Sequence, residues 1–268
     1  MALPKLSLGC DPELFLKQAG AFHSAFGVVT GTKDKPTPLE KGAVQVDGMA
    51  LEFNISPAEN AQQFVENIGE VMKQIRSAIN PDIEFDYSST VHLTEDYLKQ
   101  RQPAEVELGC DPDYNAWSGE VNPKPEQGRP MRTAGGHIHL GFGKDIVWTE
   151  NMIEVGHKII HLCDVFLGIP SVLVDPDVER RSMYGKAGAF RFKEYGVEYR
   201  SLSNFWIKTP ELQTWAFNQA ELAYMAFFEY DDIMRAISDY DVQEVINNSD
   251  KESAKAIIEL LGIQLPKE

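Results

Sequence analysis

Pairs of polar, metal-competent residues set two apart recur in three strand-like runs of this 268-residue chain. They are Asp11 and Glu13 in LSLGCDPELFL, His137 and His139 in TAGGHIHLGF, and Glu198 and Arg200 in YGVEYRSLSNFW. In a β-strand, residues i and i+2 face the same side. Each run therefore aims two carboxylates, two imidazoles, or a carboxylate and a guanidinium at one surface. A fourth run, VQVDGMALEFNIS, adds Asp47 and Glu52. Carboxylates among apolar strand residues are costly unless a cation neutralises them. The pattern points to a sheet whose polar face holds divalent cations and, with its arginines, a polyphosphate.

The chain can bury a sizeable core as one large domain or two tightly joined halves, being 43% hydrophobic and 10% aromatic. A formal net charge of −16 argues against a nucleic-acid-binding surface, which needs a basic footprint, and against binding to an anionic membrane. The acidity reads mainly as solubility, and local arginines can still build a phosphate pocket within it. Three cysteines, Cys10, Cys110 and Cys163, lack CxxC spacing, so neither a disulfide scaffold nor a zinc ribbon is indicated. Cys10 and Cys110 share an LGCDP string, yet buried free thiols are the expectation. No segment is expected to reach the ~18 apolar residues of a membrane span. A soluble, reduced, cytoplasmic protein is expected.

Residues 5–17 alternate as a strand, and 20–43 read as a short hairpin followed by a loop rich in Gly, Pro, Thr and Lys. Residues 43–55 read as one strand, after which Ser56-Pro57-Ala58-Glu59 forms a capping box. The helix behind it carries Phe64, Ile68, Val71 and Ile75 at helical spacing. Further strands are expected at 83–92, 105–110 and 135–142, and 111–133 is irregular. A helix follows Thr149, then a charged loop over 175–195, a strand over 196–206, and helices over about 210–236 and 240–262. Strands and helices do not alternate strictly, which favours an α+β fold with a mostly antiparallel sheet over a doubly wound one. No GxxxxGK[ST] or GxGxxG loop occurs, so any nucleotide must be held through metals and arginines.

The order DPE, VDGxxLEFNxSP, TAGGHIHLGF, RRSMYGKAGAFR and EYRSLSNFW resembles the phage-type COOH–NH2 ligases of the glutamine synthetase and glutamate–cysteine ligase superfamily. The resemblance runs through most of residues 7–206. It implies one ligase domain over 1–268, with C-terminal helices from about 210. It also implies a curved antiparallel sheet holding two or three Mg²⁺ ions (Mn²⁺ as an alternative) under ATP, and a reaction in which a carboxylate is phosphorylated and an amine attacks the acyl phosphate. Carried over by motif, Glu13, Asp47 and Glu52 would bind the metal nearer the substrate, and Asp11, His137 and Glu198 the metal nearer the nucleotide. His139 would touch phosphate, and Arg200, Arg181 and Arg191 would neutralise the transferring phosphoryl group. Asp11 stands where the superfamily often has Glu. Mg²⁺ chemistry agrees: it prefers hard oxygen ligands and bridges phosphate oxygens, while arginine matches phosphate with a planar fork.

Each motif also has a plainer reading. Asp11 and Glu13 can be a solvent-facing Asp-Pro turn, His137 and His139 a zinc pair or buried structural imidazoles, and Glu198–Arg200 a simple ion pair. Arg180, Arg181, Lys186 and Arg191 form a basic cluster in an acidic chain and read as an anion site, with Lys186 a candidate for cofactor phosphate. The second LGCDP, Leu108 to Pro112, precedes Asp113 and Asn115, which are candidates for holding the amine substrate; Asp111 competes with Asp113 for that role. An ATP- and Mg²⁺-dependent carboxylate–amine ligase acting on small-molecule or peptide substrates leads. A guanidino phosphotransferase, a catalytically inactive regulatory protein and a zinc hydrolase are the alternatives. Neither the substrates' identity nor an oligomeric state follows from the sequence.

Overall fold

The structure is a computed structural model and describes residues 4–106, 113–123 and 129–266. Its strands are β1 (Ser7–Cys10), β2 (Glu13–Gln18), β3 (Ala21–His23), β4 (Thr37–Leu39), β5 (Gly42–Asp47), β6 (Ala50–Ile55), β7 (Ile83–Asp86), β8 (Thr90–His92), β9 (Tyr114–Asn115), β10 (Met131–Thr133), β11 (Ile138–Gly141), β12 (Ala189–Lys193) and β13 (Gly196–Tyr199). One sheet has the order β1-β11-β13-β12-β9; another runs β3-β2-β6-β5-β4, with β7 also on β2; β8 and β10 form a small ribbon. Every pairing between these strands is antiparallel, and with the helices this gives the expected α+β fold.

The first sheet separates its two faces by register. Leu8, Leu140 and Val197 align across β1, β11 and β13, as do Cys10, Ile138 and Tyr199, and all are buried. Between these rows lies Gly9–His139–Glu198–Arg191, which faces the other way. The period of two thus puts the apolar rows against the helices and the polar row on the opposite face. The helices are α1 (Ala61–Ala78), α2 (Glu95–Lys99), α3 (Pro103–Val106), α4 (Glu150–Cys163), α5 (Ile169–Val174), α6 (Pro210–Met225), α7 (Tyr230–Ala236), α8 (Val242–Asn247) and α9 (Lys251–Leu261). Helix α1 buries the expected Phe64, Ile68, Val71 and Ile75. Phe64 stacks on Trp206 (centroids 5.8 Å apart) and meets Phe217 of α6.

Several boundaries differ from expectation. Residues 43–55 are a hairpin: the chain reverses between Asp47 and Ala50 through Gly48 at φ +57°, a left-handed conformation that favours glycine. The α1 cap is Asn60, whose side chain accepts from the Gln63 N–H, while the Gln63 side chain accepts from the Glu59 N–H. The Ser56 box fails because Ala58 exchanges two backbone bonds with Leu8 and stays extended. Residues 103–106 are helical instead of starting a strand, and 107–110 lie outside the described residues. The supposed loop over 175–195 contains β12, whose AFRFK alternation places Phe190 in the core. Cys10 and Cys163 are buried free thiols as expected; Cys110 lies outside the described residues. The helical run Glu150–Val174 is long and apolar enough to cross a membrane, contrary to expectation, and 67% of its most apolar window is buried within the protein.

That run contains a π turn at Asp164–Gly168, which delivers a buried carboxylate behind the first sheet. Asp164 accepts bonds from Trp117 Nε1 (2.7 Å), Tyr199 OH (2.8 Å) and Ser201 Oγ (3.3 Å). Burial pushes its carboxyl up to about 6 against these bonds. Because the folded group holds its proton to higher pH than the unfolded one, its stabilising contribution is full below about 4 and falls as pH rises to about 6. Asp164→Asn does not titrate and sets an amide N–H₂ against neighbouring donors, costing about 1–3 kcal/mol. The gap in urea midpoint between wild type and Asp164→Asn should therefore be wider at pH 4 than at pH 7. A pH-independent gap would contradict this account.

Candidate functional site

The two sheets meet at Asp11-Pro12-Glu13, where β1 passes into β2. Asp11 N–H donates to the His137 carbonyl, Glu13 N–H to the Gly135 carbonyl, and Phe53 N–H to the Pro12 carbonyl. This short segment carries one acid into each of two clusters, and in each cluster the ligand atoms lie within 4.8 Å of one another.

The first cluster is Glu13, Asp47 and Glu52. Glu13 and Glu52 are direct cross-strand partners on β2 and β6, and Asp47 ends β5 at the hairpin turn. Like charges placed opposite each other destabilise a sheet. Burial, then the Asp47 charge, pushes Glu13 up to about 7, although the Gly135 N–H donates to it at 2.7 Å. Burial, with Asp11, Glu13 and Asp47, pushes Glu52 up as well. Lys33 approaches Asp47 at 3.3 Å. Three hard oxygen donors whose mutual repulsion is this poorly compensated fit Mg²⁺ or Mn²⁺.

The second cluster is Asp11, His139 and Glu198. His139 Nε2 lies 3.1 Å from Asp11 Oδ1 and sits directly across from Glu198 in the β11–β13 register. His137 was the expected member and His139 the expected phosphate contact. The structure brings His139 into the cluster and sets His137 beside it, its Nδ1 3.1 Å from Asp11 and 3.6 Å from Glu198. Burial, then the Arg200 charge, lowers His137 to about 4, so it is neutral at physiological pH. Burial and Asp11 push Glu198 up, but Arg200, His137 and His139 outweigh them and hold it at about 2. Burial likewise works against the Asp11 carboxylate, and His139 and His137 outweigh it. Two oxygens and one imidazole also suit a divalent cation.

Cations gather around the fully buried Glu198. Arg200 Nη1 bonds its Oε1, Arg191 Nη1 stands 3.9 Å from the same oxygen, and Lys193 Nζ lies 2.6 Å from Oε2. Lys193 went unnoticed in the sequence, although its alternation with Arg191 in AFRFK gave the signal. Arg200 Nε also reaches Asp113 Oδ2 at 3.3 Å. A pocket takes Glu13 and Asp47 of the first cluster into its wall, with Asp113 and Arg180, and with His137 and Arg200, which stand beside the second cluster.

Other expected residues lie elsewhere. Arg181 points away from the pocket to Ser171 and Ser249. Its neighbour Arg180 lines the pocket instead, fixed by the Ser201 and Arg200 carbonyls. Burial lowers Arg180 to about 10, with the Glu13 charge opposing. Gly135 lets it approach, since a Cβ there would sit 2.5 Å from His137 Nε2 and 3.0 Å from Arg180 Nη2. Arg132 is a third pocket arginine, and the sequence did not single it out. Asn115 is bound by the Trp117 N–H and Gln243, so it does not accompany Asp113. Lys186 is exposed and outside the pocket wall. Leu108 to Pro112, with Asp111, lie outside the described residues.

No curated protein sequence matches the chain. Among solved structures it is similar to a bifunctional glutathione synthetase from Pasteurella multocida, at 10% identity and a TM-score of 0.43, over 96% of this chain and 49% of that one. It is also similar to a novel glutamine synthase homolog, at 10% identity and a TM-score of 0.39, over 96% and 67% of the respective chains. The chain thus spans about half the length of the first, and likeness at these scores carries no part of the functional argument. The family model described as Phage phiEco32-like COOH.NH2 ligase-type 2 matches residues 128–266, a stretch holding His137, His139, Glu198 and Arg200. That match covers just over half of the sequence, and the chain belongs to this COOH–NH2 ligase family.

Proposed function

We propose that the protein is an ATP- and Mg²⁺-dependent ligase that joins a carboxylate to an amine through an acyl phosphate, releasing ADP. One observation carries the reading: of two metal-competent clusters joined by Asp11-Pro12-Glu13, the first lends Glu13 and Asp47 to the wall of a pocket that also holds Arg180 and Arg200, and Arg200 links that wall to Glu198 of the second. The chemical problem is that a carboxylate is a poor electrophile with a poor leaving group, which phosphorylation corrects. Divalent cations held by Glu13, Asp47 and Glu52, and by Asp11, His139 and Glu198, would neutralise phosphate oxygens during the transfer. Arg200 and Arg180 present fixed guanidinium charge where the phosphoryl group moves, so little reorganisation accompanies reaction. Arg191 adds positive charge at the Glu198 end. Asp113 faces the pocket beside Arg200 and is suited to attract the ammonium form of the amine and to take a proton as it attacks. Residues 1–268 would act as one ligase domain on small-molecule or peptide acids and amines, with ATP and Mg²⁺ drawn from the cytoplasm.

Product analysis tests this. Mg²⁺-ATP with a panel of acids and amines should yield ADP and phosphate, and hydroxylamine in place of the amine should trap a hydroxamate. AMP with pyrophosphate would identify an adenylating enzyme. A phosphorylated guanidine would identify the phosphotransferase, and turnover without nucleotide a zinc hydrolase. Mg²⁺-ATP binding without turnover across the panel would favour the inactive regulatory protein.

A further inference from the structure

Tyr195 opens the YGVEYRSLSNFW run three residues ahead of Glu198, and its hydroxyl is 2.5 Å from His139 Nδ1. The two rings are nearly parallel, 15° apart with centroids at 6.0 Å. The placement is built into the backbone. The Tyr195 carbonyl accepts from the Phe142 and Gly143 N–H groups at 2.9 and 3.2 Å, pinning the β12–β13 turn to the exit of β11. Gly196 follows at φ +156°, and a Cβ there would come 1.9 Å from the Leu140 carbonyl oxygen, so the turn can close only on glycine. His139 is consequently held at Nδ1 by Tyr195, while its buried Nε2 makes no hydrogen bond and lies 3.1 Å from Asp11 Oδ1.

A neutral imidazole has one N–H, and the hydrogen bond at one nitrogen decides what the other can do. With the proton on Nε2, Nδ1 accepts from the Tyr195 hydroxyl and Nε2–H faces Asp11 Oδ1 at 3.1 Å. For Nε2 to offer its lone pair to a cation, the proton must sit on Nδ1, where the Tyr195 oxygen must accept it. A hydroxyl can donate or accept, so Tyr195 serves both arrangements without moving. We propose that Tyr195 is a positioning residue that holds His139 in the Nδ1–H tautomer, with Nε2 aimed at a divalent cation shared with Asp11 and Glu198. This inference rests on the metal reading of that cluster. Partners of this kind typically contribute 10–100-fold to metal affinity.

Tyr195→Phe keeps the ring on a partly exposed turn and removes only the hydroxyl. Two measurements on the full chain without nucleotide test the proposal: Mn²⁺ titration, and ¹⁵N NMR of the His139 ring with and without Mg²⁺. The Glu52→Gln background weakens the other cluster, so the remaining Mn²⁺ binding reports this one. Wild-type His139 should show the Nδ1–H tautomer when Mg²⁺ is bound. Tyr195→Phe should weaken Mn²⁺ binding about 10–100-fold in the Glu52→Gln background and lose that tautomer preference. Equal affinity and the same tautomer in Tyr195→Phe would overturn the role of Tyr195 while leaving the cluster a metal site. A wild-type His139 signal unmoved by Mg²⁺ would overturn the metal reading of the cluster, and this inference with it.

Discussion

Arg200→Ala should lower kcat by about 10³-fold while raising KM for ATP far less. The side chain is buried on the polar face of the first sheet, between Glu198 and Asp113 and against the pocket. On the proposed reaction, a guanidinium there would meet the phosphoryl group most strongly as charge moves, so its loss would fall on the transition state. Arg200→Lys should recover only part of the rate, because an ammonium lacks the fork that bonds two oxygens at once. The alternative is that Arg200 serves only to pair with the buried Glu198. Glu198 also pairs with Lys193 at 2.6 Å, so removing Arg200 leaves its charge a partner and the variant is expected to fold. Steady-state kinetics and melting temperature on the same two variants decide the matter. A large drop in melting temperature with near-normal kcat in the folded fraction would reduce Arg200 to a structural role.

Glu52→Gln should abolish ATP turnover without unfolding the protein. Glu52 faces Glu13 directly across β2 and β6, with Asp47 beside them, and this acid-rich site is poorly compensated without a cation. Replacing one of three crowded carboxyls by a neutral amide relieves the cost of burying them together, so the metal-free variant should melt no lower than the metal-free wild type. The wild type should gain stability on adding Mg²⁺, by about 2.7 kcal/mol at a hundredfold excess over Kd. Glu52→Gln should lose most of that gain. Calorimetric melts with and without Mg²⁺, alongside ADP release, measure both effects. Wild-type turnover from a stably folded Glu52→Gln protein would remove this cluster from the reaction.

The sequence by itself determined which residue types share a face. The i, i+2 pairs at 11/13, 137/139 and 198/200 are local, and strand geometry follows from them wherever the strands pair. The apolar partners Leu8, Leu140 and Val197 fix which face turns inward, and the helical period of Phe64, Ile68, Val71 and Ile75 does the same for α1. Asp11 and Glu13 illustrate the limit of that local reading. The proline between them marks the passage from one sheet to another, so these neighbours enter different clusters.

Only the tertiary structure decided the groupings, because they depend on pairings between distant residues. The β2–β6 register puts Glu13 opposite Glu52, and the β11–β13 register puts His139, and not His137, opposite Glu198. Arg180 and Arg181 are adjacent in a 3₁₀ turn, where consecutive side chains diverge by about 120°. One therefore reaches the pocket and the other the helices, a choice that composition cannot express. Asn115 and Asp113 part for a related reason. A local turn bond from the Trp117 N–H captures the Asn115 side chain, and Arg200, 87 residues along the chain, captures Asp113.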